Sequence, residues 1–180
     1  TSADKIYVLE KIDEREETVL CYSKSLQREV EIERGLLKPI LMGKDVHRYE
    51  KPVAMNYVIF PYLIKNLPAQ LMSQSYIKHN YPAGWEYLLQ NRKELGARER
   101  GRMVGDHFYA YIYPKNLVDF AQPKIMTPEI SLGTNMTIDQ SGDFYHTTKV
   151  YSFVFDPTRR EAPEYWLGIL NSQVLWFFIK

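Results

Sequence analysis

Leu36-Leu37-Lys38-Pro39-Ile40-Leu41-Met42-Gly43-Lys44-Asp45-Val46-His47-Arg48-Tyr49 is the stretch on which the reading of this chain turns. A short apolar run ends at a glycine, and Lys44, Asp45, His47, Arg48 and Tyr49 follow it. Lys44, His47 and Arg48 donate hydrogen bonds, Asp45 accepts them, and Tyr49 offers a flat ring. Projected from a glycine turn, this set suits contact with phosphates and base edges.

Three further blocks follow in a fixed order: Ile59-Phe60-Pro61-Tyr62, then Tyr81-Pro82 through Arg92-Lys93-Glu94-Leu95, then Gln122-Pro123-Lys124-Ile125. In order and spacing the set resembles the TaqI-like C-terminal specificity domain, the target-recognition module of adenine-specific DNA methyltransferases and of the type II restriction enzymes fused to them. The resemblance runs from about Leu36 to the end and closes on Gly168-Ile169-Leu170-Asn171-Ser172. It implies sequence-specific binding of double-stranded DNA. It also implies a covalently linked methyltransferase domain in the parent, with or without a nuclease, and S-adenosylmethionine as that parent's cofactor. The family block Gly-Lys-Asp-x-x-Arg-Tyr is matched by Gly43, Lys44, Asp45, Arg48 and Tyr49, which makes Lys44, Asp45, Arg48 and Tyr49 the first DNA-binding candidates.

The charge distribution agrees with that placement. Residues 1–34 carry 6 basic and 9 acidic side chains, residues 35–125 carry 13 and 7, and residues 126–180 carry 4 and 6. The whole chain is nearly neutral at +1, so its positive field is confined to the middle, where it can attract phosphate. Fourteen tyrosines suit half-wet surfaces such as strand faces and binding sites. A single cysteine, Cys21, excludes an internal disulfide and fits the cytoplasm. No apolar run reaches the length of a membrane span. The chain starts at Thr1 and stops at Lys180 inside an apolar-periodic segment, so it reads as a piece of a longer protein.

The expected organisation is an N-terminal β extension over 1–34, leading from a missing upstream methyltransferase domain, and a recognition domain over 35–180. Lys5 to Ile12 and Thr18 to Tyr22 read as a hairpin around an acidic turn, and Val30 and Ile32 mark a third strand. Met55 to Phe60 is a continuous apolar strand. Ser73 caps a short helix, and Pro82 opens a longer one to about Leu95. Phe108 to Tyr113 and Lys124 to Ile130 read as strands, and Asn135 to Ile138 and Phe144 to Phe155 as a hairpin around Asp139–Asp143. From Ala162 to Lys180 the apolar residues keep a helical period, predicting a helix with one buried face. Strands and helices do not alternate strictly. The expected fold is therefore α+β, with a mixed or antiparallel sheet, a few helices and an apolar C-terminal helix.

The second basic set is Arg92, Lys93, Arg98, Arg100 and Arg102, loosened by Gly96, Gly101 and Gly105. It suits a loop that follows phosphates or enters a groove. Lys78, His79, Lys124 and Lys149 are weaker candidates. Phe108, Tyr109, Tyr111 and Tyr113 read as packing residues before they read as base-stacking ones. Neither a catalytic set nor a metal site is legible. Phe60-Pro61-Tyr62 lacks the preceding Asn or Asp and the second proline of a methyltransferase base-holding loop, and Arg100–Gly105 is not a GxGxxG cofactor loop. The four histidines are dispersed, so no catalytic residue, metal or cofactor is expected within this chain. Two rival readings stand beside DNA recognition: a protein-interaction module docked through the aromatic C-terminal helix, and an enzyme of unrecognised type.

Overall fold

The computed structural model describes residues 3–64, 68–156, 158 and 160–180; Thr1 and Ser2 of the expected N-terminal extension lie outside them. The fold is α+β, with both parallel and antiparallel strand pairs. The chain forms two compact units, residues 1–38 with 56–118, and residues 39–55 with 119–180. The first 38 residues thus share a unit with a later segment of the chain.

The first unit opens with a single helical turn, α1 (Asp4–Tyr7), where an unbroken strand from Lys5 was expected. The turn is closed by the Ile6 and Tyr7 amides, which donate to the Ala3 carbonyl at 2.9 and 3.0 Å, and both side chains are fully buried. β1 (Val8–Glu14), β2 (Thr18–Ser23) and β3 (Arg28–Glu33) then form an antiparallel meander, with Cys21 opposite Val30 and Val19 opposite Ile32. These four alternate residues are buried, while Glu29 points outward, as the period of two requires. β4 (Leu37–Leu41) leads out of the unit. β5 (Asn56–Ile59) returns to pair with the free edge of β1, Leu9 opposite Tyr57. β6 (Tyr62–Leu63) and β7 (Gln70–Leu71) make a short ribbon.

Three helices complete this unit. Ser73 caps α2 (Gln74–Asn80) by accepting from the Tyr76 amide at 3.2 Å. α3 (Pro82–Gln90) starts at its proline, and the Glu33 carboxylate accepts from the Ala83 and Gly84 amides at 2.8 and 2.9 Å. That contact sets the helix on the sheet. A Cβ at Gly84 would stand 2.3 Å from a Leu36 methyl, so any larger residue would have to displace that buried side chain. The helix stops at Asn91 (φ −96°, ψ 5°) rather than running on to Leu95, and the buried Asn91 amide donates to the Tyr87 carbonyl at 2.9 Å. α4 (Arg92–Gly101) follows, and its helical path breaks again at residues 98–100.

Phe108 to Tyr113 is not a strand but a set of turns. Phe108 and Tyr109 are adjacent and both buried. Hydroxyls fix the segment. Tyr109 donates to the Met72 carbonyl at 2.7 Å, Tyr7 donates to the Tyr109 carbonyl at 3.0 Å, and the Tyr111 amide donates to the Tyr62 hydroxyl at 2.7 Å.

In the second unit, β8 (Lys124–Pro128) lies between β9 (Thr137–Asp139) and β11 (Val150–Val154), antiparallel to both. β10 (Tyr145–His146) instead runs parallel to Ile40 and Leu41 of β4. The hairpin expected around Asp139–Asp143 therefore does not form. Gly142, at φ +75°, lies so close to the Ala121 carbonyl that a Cβ would come within 2.5 Å of its oxygen, and the turn is drawn onto that segment instead. Leu41, Val46, Ala54, Met126 and Val150 make the core, with Phe144 against it.

The C-terminal segment is two helices, α5 (Pro163–Leu170) and α6 (Gln173–Ile179), where one was expected. Asn171 (φ −92°, ψ 3°) interrupts the helix, and the Ser172 hydroxyl caps α6 by accepting from Leu175 at 3.1 Å. The apolar face of α6 is not buried: Val174, Phe177, Phe178 and Ile179 are all exposed. Among the described residues no helix is long and apolar enough to cross a membrane.

Candidate nucleic-acid interface

Gly43–Asp45 is one 3-10 turn, closed from both ends by Asp45. Its amide donates to the Met42 carbonyl at 2.9 Å, and its carboxylate accepts from the Met42 amide at 2.8 Å. Asp45 therefore shapes the loop, and orients neither Lys44 nor Arg48 directly. At Gly43 the chain passes close to its neighbour: a Cβ there would lie 3.1 Å from the Lys149 carbonyl oxygen, a tight contact. Val46 drops into the core and its carbonyl accepts from the Asn135 amide group at 3.1 Å. With the loop pinned at Asp45 and Val46, Lys44, His47, Arg48 and Tyr49 stand exposed.

Arg48 and Tyr49 are held by a second device. Tyr49 adopts the left-handed conformation (φ +62°), and its amide donates to the Met136 carbonyl at 3.1 Å. The Arg48 guanidinium carbon lies 5.1 Å from the Tyr49 ring centroid, a cation–π pair, and its Nη2 donates to the Asn171 carbonyl. Asn171 is fully buried and grips Met136 twice, its Oδ1 accepting from the amide at 2.9 Å and its Nδ2 donating to the carbonyl at 2.8 Å. Blocks far apart in sequence, 43–49 and 168–172, thus meet on the backbone of Met136. Asn171 has no charge and sits in an apolar-periodic stretch, so only its membership of the last block marks it in the sequence. Lys44, His47 and Arg48 line a cleft of about 680 Å³ on this unit.

The second basic set belongs to the first unit. Arg92, Lys93, Arg100 and Arg102 are exposed, with the Arg92 guanidinium 5.1 Å from the Phe108 ring centroid. Glu99 and Arg100 are consecutive left-handed residues (φ +50° and +58°), an unfavourable backbone for side-chain-bearing residues. Arg98 departs from expectation. It is 8% exposed, its Nε donates to the Leu95 carbonyl at 2.8 Å, and its Nη2 donates to the Phe108 and Ala110 carbonyls at 2.6 and 3.0 Å. Its guanidinium carbon also lies 5.4 Å from the Tyr7 ring centroid, and its Nη1 is buried without a partner among the described residues. Arg98 holds the 98–110 segment together and presents nothing to a ligand.

Lys124 is a second interior cation. It is fully buried, and its Nζ donates to Asp139 Oδ2 at 2.6 Å and to the Phe120 carbonyl at 2.8 Å. Burial lowers its pKa, and the bond to Asp139 opposes that shift. Asp139 in turn accepts from the Gly142 and Phe144 amides, both at 3.0 Å, so this ion pair organises the turn after β9. Of the weaker candidates, Lys78 and His79 are exposed on α2, and Lys149 pairs with Glu129 at 2.6 Å. Phe108 and Tyr109 are core residues, and Tyr113 is 70% exposed. Among the described residues no three His, Cys, Asp or Glu side chains converge on a possible metal site. Arg100–Gly105 trails α4 and does not join a strand to a helix, so it does not fit a nucleotide-type cofactor loop.

The model of one family, the TaqI-like C-terminal specificity domain, matches residues 38–180, which takes in both basic sets and the Arg48–Asn171 link. No curated protein matches the chain. With most of its length matched, the chain belongs to the TaqI-like C-terminal specificity domain family, the part of restriction–modification proteins given to target recognition.

Proposed function

We propose that this chain binds duplex DNA sequence-specifically, as the target-recognition domain of an adenine-specific methyltransferase, alone or fused to a restriction endonuclease. The observation that carries the reading is the 43–49 loop: three exposed donors, Lys44, His47 and Arg48, on a backbone pinned by Asp45, Val46 and Met136. A pinned guanidinium reads a base edge well, because two parallel hydrogen bonds need a fixed plane, and such a pair discriminates by about 1–3 kcal/mol. Arg92, Lys93, Arg100 and Arg102 are proposed as phosphate contacts, which add affinity without sequence information. S-adenosylmethionine and the base-flipping pocket belong, on this reading, to a catalytic domain of the parent.

A titration against a random duplex pool at two salt concentrations, with sequencing of the bound fraction, tests the proposal. An enriched motif together with steep salt dependence supports it, and no binding at low salt refutes it for the isolated chain. Within it, Arg48→Ala relaxes the motif, while Arg100→Ala weakens all sequences alike and reduces the salt slope by about one. A second reading has one observation in its favour. The apolar face of α6, with Phe177 and Phe178 each 78% exposed, fits contact with another protein segment.

A further inference from the structure

Ile130 and Leu132 stand two residues apart in the irregular segment after β8, and they are 86% and 106% exposed. Gly133 beside them takes a left-handed conformation (φ +114°), so the chain turns sharply at the tip. Both aliphatic side chains line the same 680 Å³ cleft as Lys44, His47 and Arg48. Hydrogen-bond donors and bare branched aliphatics therefore line one cleft.

We infer that Ile130 and Leu132 read the 5-methyl group of thymine in the major groove of the recognised duplex. The inference rests on the DNA-recognition reading and says what part of the sequence the cleft reads. The cationic donors of the cleft complement phosphate and guanine acceptors. An aliphatic side chain can take nothing from those groups. On the edges of intact base pairs the methyl of thymine is the one apolar feature, and it lies in the major groove alone. Exposed Ile and Leu beside base-reading donors match that pattern, whereas minor-groove edges would leave both without a partner.

The test uses the whole 180-residue chain and two preparations of one random duplex pool, one made with thymine and the other with deoxyuridine, which lacks the methyl. The wild-type chain binds the thymine pool about fourfold more tightly for each methyl it contacts. Ile130→Ser with Leu132→Ser, at exposed positions that leave the melting temperature unchanged, binds both pools alike. Equal binding of the two pools by the wild-type chain overturns the inference, as does a variant that keeps the thymine preference. Equal binding combined with a 2-aminopurine fluorescence rise that the variant loses would also overturn it, making the pair a stacking wedge instead. Failure of the recognition reading gives a different result: the wild-type chain binds neither pool, and the inference falls with it.

Discussion

The guanidinium of Arg48 donates to the backbone carbonyl of Asn171, 123 residues further along the chain. The side chain of Asn171 is meanwhile fully buried and bonded to both polar groups of Met136. One arginine of the candidate reading loop is thereby fixed to the junction of two helices. Its ring partner Tyr49 is tied to the same Met136 carbonyl at 3.1 Å. A neutral amide beneath the charged surface thus ties the backbone of two distant blocks together.

Asn171→Ala should accordingly act at a distance from the surface. It removes the acceptor of the half-buried Met136 amide and one donor to its carbonyl, a cost of about 1 kcal/mol or somewhat more. Thermal melting should fall by several degrees, and sequence preference should weaken because the backbone that carries Arg48's carbonyl acceptor is no longer tied to Met136. An unchanged melting temperature would show that the two bonds to Met136 contribute nothing.

Arg98 and Arg100 should separate cleanly. Arg98→Ala removes the donors that serve the Leu95, Phe108 and Ala110 carbonyls, and it should destabilise by about 3 kcal/mol. Arg98→Lys should recover little, since one ammonium cannot span the planar fork of contacts. Arg100→Ala, at an exposed position, should leave thermal stability within about 0.5 kcal/mol and change only DNA affinity. Denaturant titration of the three variants checks the order.

The Lys124–Asp139 pair should be worth more intact than halved. Asp139→Ala strands a buried ammonium and frees the Gly142 and Phe144 amides, costing about 3–5 kcal/mol. Because burial lowers the pKa of Lys124 below its ordinary 10.5, the unfolded chain holds that proton more tightly than the folded one. The stability cost of charging Lys124 is present at neutral pH and is relieved as pH rises toward 10.5. Lys124→Met should abolish that rising contribution, which urea midpoints across the alkaline range would reveal.

Other groups should oppose it at higher pH. Burial pushes the Tyr145 hydroxyl from 10.0 up to about 12, and burial does the same to Tyr62. A raised folded pKa means stability that is complete below pH 10 and lost as pH climbs to about 12. Tyrosinate absorbance and circular dichroism should therefore change together in that window. Tyr145→Phe should lessen the loss, and ionisation of Tyr145 without any loss of structure would contradict its burial.

Much of the fold was legible from the sequence by itself. The strand pattern of Thr18 to Tyr22 and the alternation at Val30/Ile32 marked the meander, Ser73 and Pro82 marked two helix starts, and the ordered blocks marked the family. These are local signals, set by side-chain period, capping chemistry and fixed φ. The sequence also marked Lys44, Arg48, Arg100 and Arg102 as cations of exposed loops, because charge resists burial. Tertiary structure alone decided the rest. Whether Arg98 and Lys124 face water or the interior depends on carbonyls and a carboxylate that only the fold delivers. The break at Asn171 depends on the backbone of Met136, which no helical period can show. The hairpin that failed at Asp139–Asp143 lost to a buried ion pair and to the close approach of Gly142 to Ala121. Each of these outcomes turns on a buried polar group finding a distant partner, and the energy of that match is absent from any local stretch of residues.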